Sequence, residues 1–418
     1  MTKLEQLINE LCPNGVEEKK LGDIATVSRG GSFQKKDYVE DGVPCIHYGQ
    51  IYTQYGLFVD KTISYISKET AKKQKMAVKN DVIMAVTSEN IDDVCKCIAW
   101  LGNEPIAVSG HTAIIHHTIN PKYLVYYLQS TMFYKQKVKL AHGTKVIEVT
   151  PDKLLDITLP VPPLPVQSEI VSILDNFTEL TAELTAELTA ELTARQSQYE
   201  YYASNMFPSI KKSDEKWIEL GEVATVTKLA GFEFTKYVTY SNAGNIIALR
   251  GLNVKNGHLV LDDVKYIDNS NLEMLSRSKL RIGDMLFTYV GTVGQVALIQ
   301  ENDKYYLAPN VALVRITDER FLPEYMMYYF LTDKFKQEQI AKLLQASSMQ
   351  NIPMEKIRKF KLPLISIEEQ RKTIDILNRF DTLCNDISAG LPAEIEARQK
   401  QYEYYRDKLL TFKEVGKC

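Results

Sequence analysis

Nine residues that recur 203 positions apart constrain this chain more than any other feature. Ala194-Arg195-Gln196-Ser197-Gln198-Tyr199-Glu200-Tyr201-Tyr202 returns as Ala397-Arg398-Gln399-Lys400-Gln401-Tyr402-Glu403-Tyr404-Tyr405, with eight of nine positions identical. The same offset pairs Leu159-Pro160 with Leu362-Pro363, Gln167 with Gln370, and Phe177 with Phe380. Nearer the start, Leu21-Gly22-Asp23-Ile24-Ala25-Thr26-Val27 matches Leu220-Gly221-Glu222-Val223-Ala224-Thr225-Val226 at offset 199. Pro121-x-Tyr123-x-x-Tyr126-Tyr127 likewise matches Pro323-x-Tyr325-x-x-Tyr328-Tyr329. Chance does not order matches in this way, so the chain is a tandem duplication of a unit of roughly 200 residues, long enough to bury its own core.

Each copy changes texture part-way. Its first part alternates short apolar runs (residues 82–86, 113–115 and 312–316) with Gly, Asn and Asp punctuation, the pattern of strands and turns with a few helices. Its second part is Gly-poor and helical. Pro165 suits a first helical turn in one copy, and Ser366-x-x-Glu369 forms a capping-box pattern in the other. In the first helix Glu-Leu-Thr-Ala occurs four times from Glu179 to Ala194. A four-residue period advances each Leu by about 40° on a 3.6-residue helix, so the Leu stripe stays within one broad face. Leu377, Phe380, Cys384, Ile387, Leu391 and Ile395 form the candidate facing stripe, with Gly390-Leu391-Pro392 expected to interrupt it. The expected fold class is therefore α+β: two tandem mixed α/β units, separated and followed by long helices that pair as an antiparallel coiled coil in a pseudo-two-fold repeat. The boundaries read as residues 1–160, a central helical spacer 161–207, residues 208–365, and a distal helical region 366–418.

Charge then limits the partners. Fifty Lys and Arg against 53 Asp and Glu leave a net charge of −3, which excludes a strongly basic surface binding nucleic acid everywhere. Residues 166–195 hold six acids and one base, so the remainder is close to +2 and polyanion contact belongs to the mixed units, not the spacer. Six scattered cysteines, an N-terminus without an apolar signal core, and the lack of a spanning apolar stretch all lead to the expectation of a reduced, cytoplasmic protein without membrane contact.

Two similar units held a set distance apart suit a split target, and on duplex DNA that is a bipartite site whose gap the connector sets. The units have diverged in their loops: Ser28-Arg29-Gly30-Gly31-Ser32-Phe33-Gln34-Lys35-Lys36 stands opposite Thr227-Lys228-Leu229-Ala230-Gly231-Phe232-Glu233-Phe234-Thr235. Divergent loops on a shared framework imply an asymmetric site. The duplication, the Leu-Pro-x-Pro entry into the helix, the Gln-Tyr-Glu-Tyr-Tyr endings and the Thr-Ala-Glu-Leu repeats together resemble the specificity (S) subunit of type I restriction–modification enzymes, most closely its IC branch. The resemblance implies that residues 1–160 and 208–365 are target recognition domains and that the helices dock two methyltransferase (modification) subunits. It implies too that catalysis lies elsewhere, with S-adenosylmethionine on the modification subunits and ATP and Mg on restriction (translocase/nuclease) subunits, none of them bound by this chain.

Catalytic signatures are missing. Gly143-Thr144-Lys145 is not a phosphate-binding Gly-Lys-Ser/Thr, and no Asn/Asp-Pro-Pro-aromatic methyltransferase tetrapeptide occurs. Pro151-Asp152 with Asp214-Glu215-Lys216 is only a chance likeness to a nuclease set, and Cys95-x-Cys97 and His116-His117 lack partners at metal-ligand spacing. Arg, Lys, His, amide and hydroxyl residues in punctuated loops are the DNA-contact candidates, since Arg can fork onto guanine and Asn or Gln onto adenine. In the first unit they are Arg29, Gln34, Lys35, Lys36, His47, Gln50, His111, His142, Thr144 and Lys145. In the second they are Lys228, Lys236, Arg250, Asn253, Asn310, Ser347, Ser348 and Gln350. Tyr199, Tyr201, Tyr202, Tyr402, Tyr404 and Tyr405 are expected in helix packing and subunit docking. The competing reading is a non-DNA adaptor that holds two ligand-binding domains on a coiled-coil spacer.

Overall fold

Alternation along the central strands determines how each unit is built. In a computed structural model, which describes residues 2–210, 217–229, 231–344, 351–385 and 390–415, the strand Val82–Ala85 is buried along its whole length. Its neighbours in sequence point to opposite faces. Val82 and Met84 enter one core with Ala113, Ile115, Tyr123 and Tyr126, while Ile83 and Ala85 enter another with Ile98, Trp100 and Ile114. The second unit repeats this: Met285 and Phe287 join one core, Leu286 the other. A continuous apolar run thus reads as a strand covered on both faces.

The chain divides into two compact units, Met1–Glu187 with Ile395–Cys418, and Leu188–Glu394. In the first, the central sheet runs in the order Ala25–Arg29, Thr112–His117, Val82–Ala85, Cys97–Trp100, Phe58–Val59. A second five-stranded sheet runs Tyr38–Val39, Ser64–Ile66, Val43–Ile46, Ile106–Val108, Met76–Ala77. The second unit has a four-stranded sheet, Ala224–Lys228, Val311–Ile316, Met285–Thr288, Val296–Leu298, and a three-stranded one, Lys265–Tyr266, Ile247–Leu249, Tyr305–Leu307. Each unit's opening strand pairs antiparallel with the strand before its helical part: Glu18 with Pro160, and Trp217 with Pro363.

The matched residues make matched bonds. Gln167 accepts from the Asn120 amide at 2.8 Å and donates to the Pro162 carbonyl, while Gln370 accepts from the Leu322 amide at 2.9 Å and donates to the Ile365 carbonyl. Both glutamines are buried, and loss of either would strand a backbone N–H at about 1–3 kcal/mol. Tyr126 donates to Asp175 at 2.8 Å, and Tyr328 to Asn378 at 2.5 Å, one position in each copy of the Pro-x-Tyr-x-x-Tyr-Tyr helix tying it to the helical part. Asp81, buried, accepts from the Val78 amide and pairs with His116 at 2.7 Å. Asp284 accepts from the Arg281 amide and pairs with Arg315 at 2.6 Å. The turn before each Asp needs a left-handed residue, supplied by Asn80 (φ 74°) and Gly283 (φ 85°).

The changes of offset have structural causes. Phe133 and Phe335 both cap-bond at offset 202, whereas Gln136 and Gln339 make equivalent bonds at 203. The extra residue is absorbed by a π-helical turn at Lys336–Ile340.

The helix Leu164–Met206 has 43 residues, of which those to 187 belong to the first unit and the rest to the second. The second helical region forms Ile367–Asn385 and Leu391–Leu409, while Ile387 lies outside the described residues. In the first unit Leu180 and Leu184 lie beside Gln401, Tyr402 and Tyr405 around a groove of about 240 Å³, with Phe177 against Tyr405 and Thr178 bonded to Tyr402, an antiparallel register. This corrects the expected facing stripe: the first two repeat leucines meet the Tyr-rich ending, not Leu377 and Phe380. Phe380 instead packs against Tyr199 and Tyr202 of the second unit, repeating the Phe177–Tyr405 contact at the same offset. The end of the chain completes the first unit. Leu410 is fully buried, Asp407 accepts from the Thr131 amide, and Val16 bridges in parallel to Glu414.

Candidate nucleic-acid interface

Loops from one end of each central sheet gather most of the polar candidates. In the first unit Ala113 pairs with Arg29, Thr112 with Ala85 and Cys97 with Met84, so the connections after Arg29, after Ala85 and before Thr112 all leave the sheet at that end. Gly31 bridges to Ser109, whose amide donates to the Ile46 carbonyl, which brings in the turn at His47. Ile147 pairs with Ser88, adding the loop that carries His142, Thr144 and Lys145, all exposed. Arg29 reaches Glu148 at 3.0 Å. His47 packs against Tyr48, and Tyr48 against His111, with ring centroids 4.6 and 5.3 Å apart; Phe33 approaches His47 from the side. Burial, with Lys35 and His111 nearby, lowers the His47 pKa, so the ring is held neutral to lower pH than a free histidine. Gln34, Lys35 and Lys36 are exposed at the turn Lys35–Asp37.

The second unit repeats the plan with different chemistry. Lys228 ends its strand with its ammonium 5.6 Å from the ring of Tyr289, and Asn310 precedes Val311 in the same left-handed backbone that His111 adopts before Thr112 (φ 72° and 64°). Arg250 occupies the place of His47, but its guanidinium is held by the carbonyl and carboxylate of Asp263 at 2.8 and 3.1 Å. Lys236 is exposed on the helix Gly231–Tyr237, its ammonium over Tyr237. Ser347, Ser348 and Gln350 lie outside the described residues, as do Asp214, Glu215 and Lys216.

Two expectations change. Gln50 is buried, accepts from the His47 amide and donates to Ser64. Asn253, fully buried, accepts from the Arg250 amide and donates to the carbonyls of Val260 and Asp263. Their amides are used inside the fold, so both shape the turn that presents residue 47 or 250 and do not meet bases directly. Tyr48, Phe33 and Tyr289 pack against these candidates, Phe33 and Tyr289 from the buried side; an aromatic directly after a loop histidine was a signal for Tyr48, and Phe33 and Tyr289 carried none. Among the tyrosines, Tyr199 and Tyr402 are half-buried in helix packing, while Tyr201 and Tyr404 stand 66% and 62% exposed at equivalent positions. Cys95 and Cys97 are buried, their thiols pushed up to about 12 by desolvation. Among the described residues no group of three or more His, Cys, Asp or Glu could hold a metal ion, and no helix is long and apolar enough to cross a membrane.

The duplication reappears when known proteins are compared. The family model described as "Type I restriction modification DNA specificity domain" matches twice, at residues 13–194 and 212–397. A putative type I restriction enzyme specificity subunit of Haemophilus influenzae is 33% identical over 319 residues, 75% of this chain and 76% of its own. The EcoR124I/EcoR124II specificity subunit of Escherichia coli is 31% identical over 263 residues, 60% of each chain. In fold, a chain from a type I R-M complex structure superposes with a TM-score of 0.69 at 16% identity, covering 96% of this chain and 98% of that one. The HsdS subunit from Thermoanaerobacter tengcongensis gives 0.53 at 15% identity, covering 96% of each chain. Two copies of one fold, each with its polar loops at the same sheet end and each matched by the same model, show that the chain belongs to the type I restriction–modification DNA specificity family.

Proposed function

We propose that this chain is the DNA sequence-specificity subunit of a type I restriction–modification complex. One observation carries the reading: the two units keep the same framework bonds while the residues at the shared sheet end differ, His47 against Arg250 and His111 against Asn310. Residues 1–160 and 208–365 then act as target recognition domains, each reading one half of a bipartite, asymmetric site on double-stranded DNA. Segments 161–207 and 366–418 set the gap and dock two modification subunits, Tyr201 and Tyr404 being the most exposed aromatics of the equivalent helix ends, with Tyr202 and Tyr405 exposed beside them. This chain is the non-catalytic member of the complex. S-adenosylmethionine belongs to the modification subunits, which flip the target adenine from the stack, and ATP and Mg to restriction subunits. The Thr-Ala-Glu-Leu repeats support the IC branch, and the complex works in the cytoplasm.

The test is methylome sequencing of cells co-expressing this chain with its neighbouring modification subunit. A methylated adenine in each half of one split motif, absent without this chain, is expected. No new motif, with the complex shown to assemble, would favour the adaptor reading. Removing residues 183–186 takes out about 6 Å of helix against 3.4 Å per base pair, so the gap should shorten by about one or two base pairs with both half-sites kept.

A further inference from the structure

The two units differ at one hairpin, and the difference is anchored by a buried charge. Ala85 and Lys96 exchange the same backbone bond as Thr288 and Gln295, and Cys95 (φ 69°) takes the left-handed place of Gly294 (φ 90°). Between these fixed points the first unit has four more residues than the second. The longer loop, residues 87–94, folds over an Asn90–Asp93 turn in which the Asp93 amide donates to Asn90. Beneath it lies Lys137, 5% exposed, on the helix Thr131–Leu140. Its ammonium donates to the carbonyls of Asp92 at 2.9 Å and Val94 at 3.0 Å, and it sits 4.9 Å from the ring of Tyr134. Tyr134 in turn donates to the Asp92 carboxylate. The second unit has buried Ile340 at the equivalent position, close against Gly294 of the short loop.

We infer that Lys137 is a positioning residue for the first half-site: it tethers the longer loop so that its tip, with Ser88, Glu89 and Asn90, is presented beside Arg29 and Lys145. The geometry supports this, because Ser88 pairs with Ile147 and Glu148 binds Arg29, so a displaced loop moves its recognition neighbours. The cost of the arrangement is visible in the ammonium itself, whose pKa is lowered by desolvation. The two carbonyl bonds offset part of that penalty and hold the loop, and where the loop is short the aliphatic Ile340 fills the place.

The inference rests on the DNA-reading function proposed above. With the assembled complex and duplexes carrying the split motif, each base pair of each half-site is changed in turn and affinity measured for wild type and Lys137→Ile. The expected result is a loss of discrimination of about tenfold at one or more first half-site positions, with the second half-site unchanged. Equal loss at both half-sites, or none at the first, overturns it. Because Lys137→Ile could simply unfold the unit, amide exchange of residues 87–94 is also compared in the wild-type complex on duplexes with and without the first half-site. Protection that depends on that half-site is expected, and indifference overturns the inference without any variant. A wild type lacking sequence preference on every duplex fails the functional reading itself.

Discussion

The first unit packs Met84, Leu128, Phe133 and Ile157 where the second packs Phe287, Phe330, Phe335 and Phe360, yet the strands around them keep one register. It pairs its buried aspartate with a histidine where the second uses an arginine. It supports its longer loop on a lysine where the second uses an isoleucine. Core and surface have both drifted, while the bonds that join strand to helix and helix to turn have been kept. Duplicated folds of this kind are held in common by polar connections at element ends, and volume and charge can vary between them.

Each unit contains one tryptophan, Trp100 or Trp217, so single-tryptophan variants report the two separately. Phe330→Ala breaks the stacked Phe330–Phe335 pair, whose rings are 4.4 Å apart, and should cost the second unit about 3–5 kcal/mol in urea unfolding. Leu128→Ala should cost the first unit less, since it removes a smaller side chain; equal losses would erase the contrast between the cores. Asp284→Ala strands the Arg315 guanidinium and should cost about 3 kcal/mol. Asp81→Ala leaves His116, whose side chain is exposed to water, and the Val78 amide without their acceptor, and should cost about 1–2 kcal/mol. A reversed order would mean that the histidine pair is the stronger connection.

Acid should separate the units further. His47 and His117 have pKa values lowered by burial below the ordinary 6.5, so each contributes stability that is complete above 6.5 and declines as pH falls below it, where the unfolded chain takes up protons first. The second unit has Arg250 and Ile316 at these places. A lower urea midpoint near pH 5.5 should therefore appear in the Trp100 signal before the Trp217 signal. The smallest effect is expected from Tyr201→Ala and Tyr404→Ala, which should change stability by less than about 0.5 kcal/mol while weakening capture of the modification subunits. A large loss of stability there would return both rings to the packing role.

Repetition makes the architecture legible: matched offsets show two copies, each with a helical part, but not that residues 395–415 return to the first unit. The slips between 199 and 203 were equally visible but uninterpretable, because a π-helical turn and a hairpin four residues longer leave no compositional mark. The interface was legible as a set of loops and not as individual contacts. Gln50 and Asn253 looked like adenine readers because an amide three residues after a loop His or Arg is common to a base contact and to a capping box. Lys137, spaced like any surface lysine, gave no sign that a loop would close over it.

One consequence follows from the first unit's being completed by residues 395–415. Along the chain the second unit is contiguous, whereas the first gains its last contacts, Leu410 in its core and Asp407 on the Thr131 amide, only after the 207 residues of Leu188–Glu394 have been added. At about 5–20 residues per second that delay is roughly 10–40 s. The portion made first is thus finished last, and a product that stops within residues 395–409 lacks the buried Leu410 of the first core while keeping every residue of the second unit.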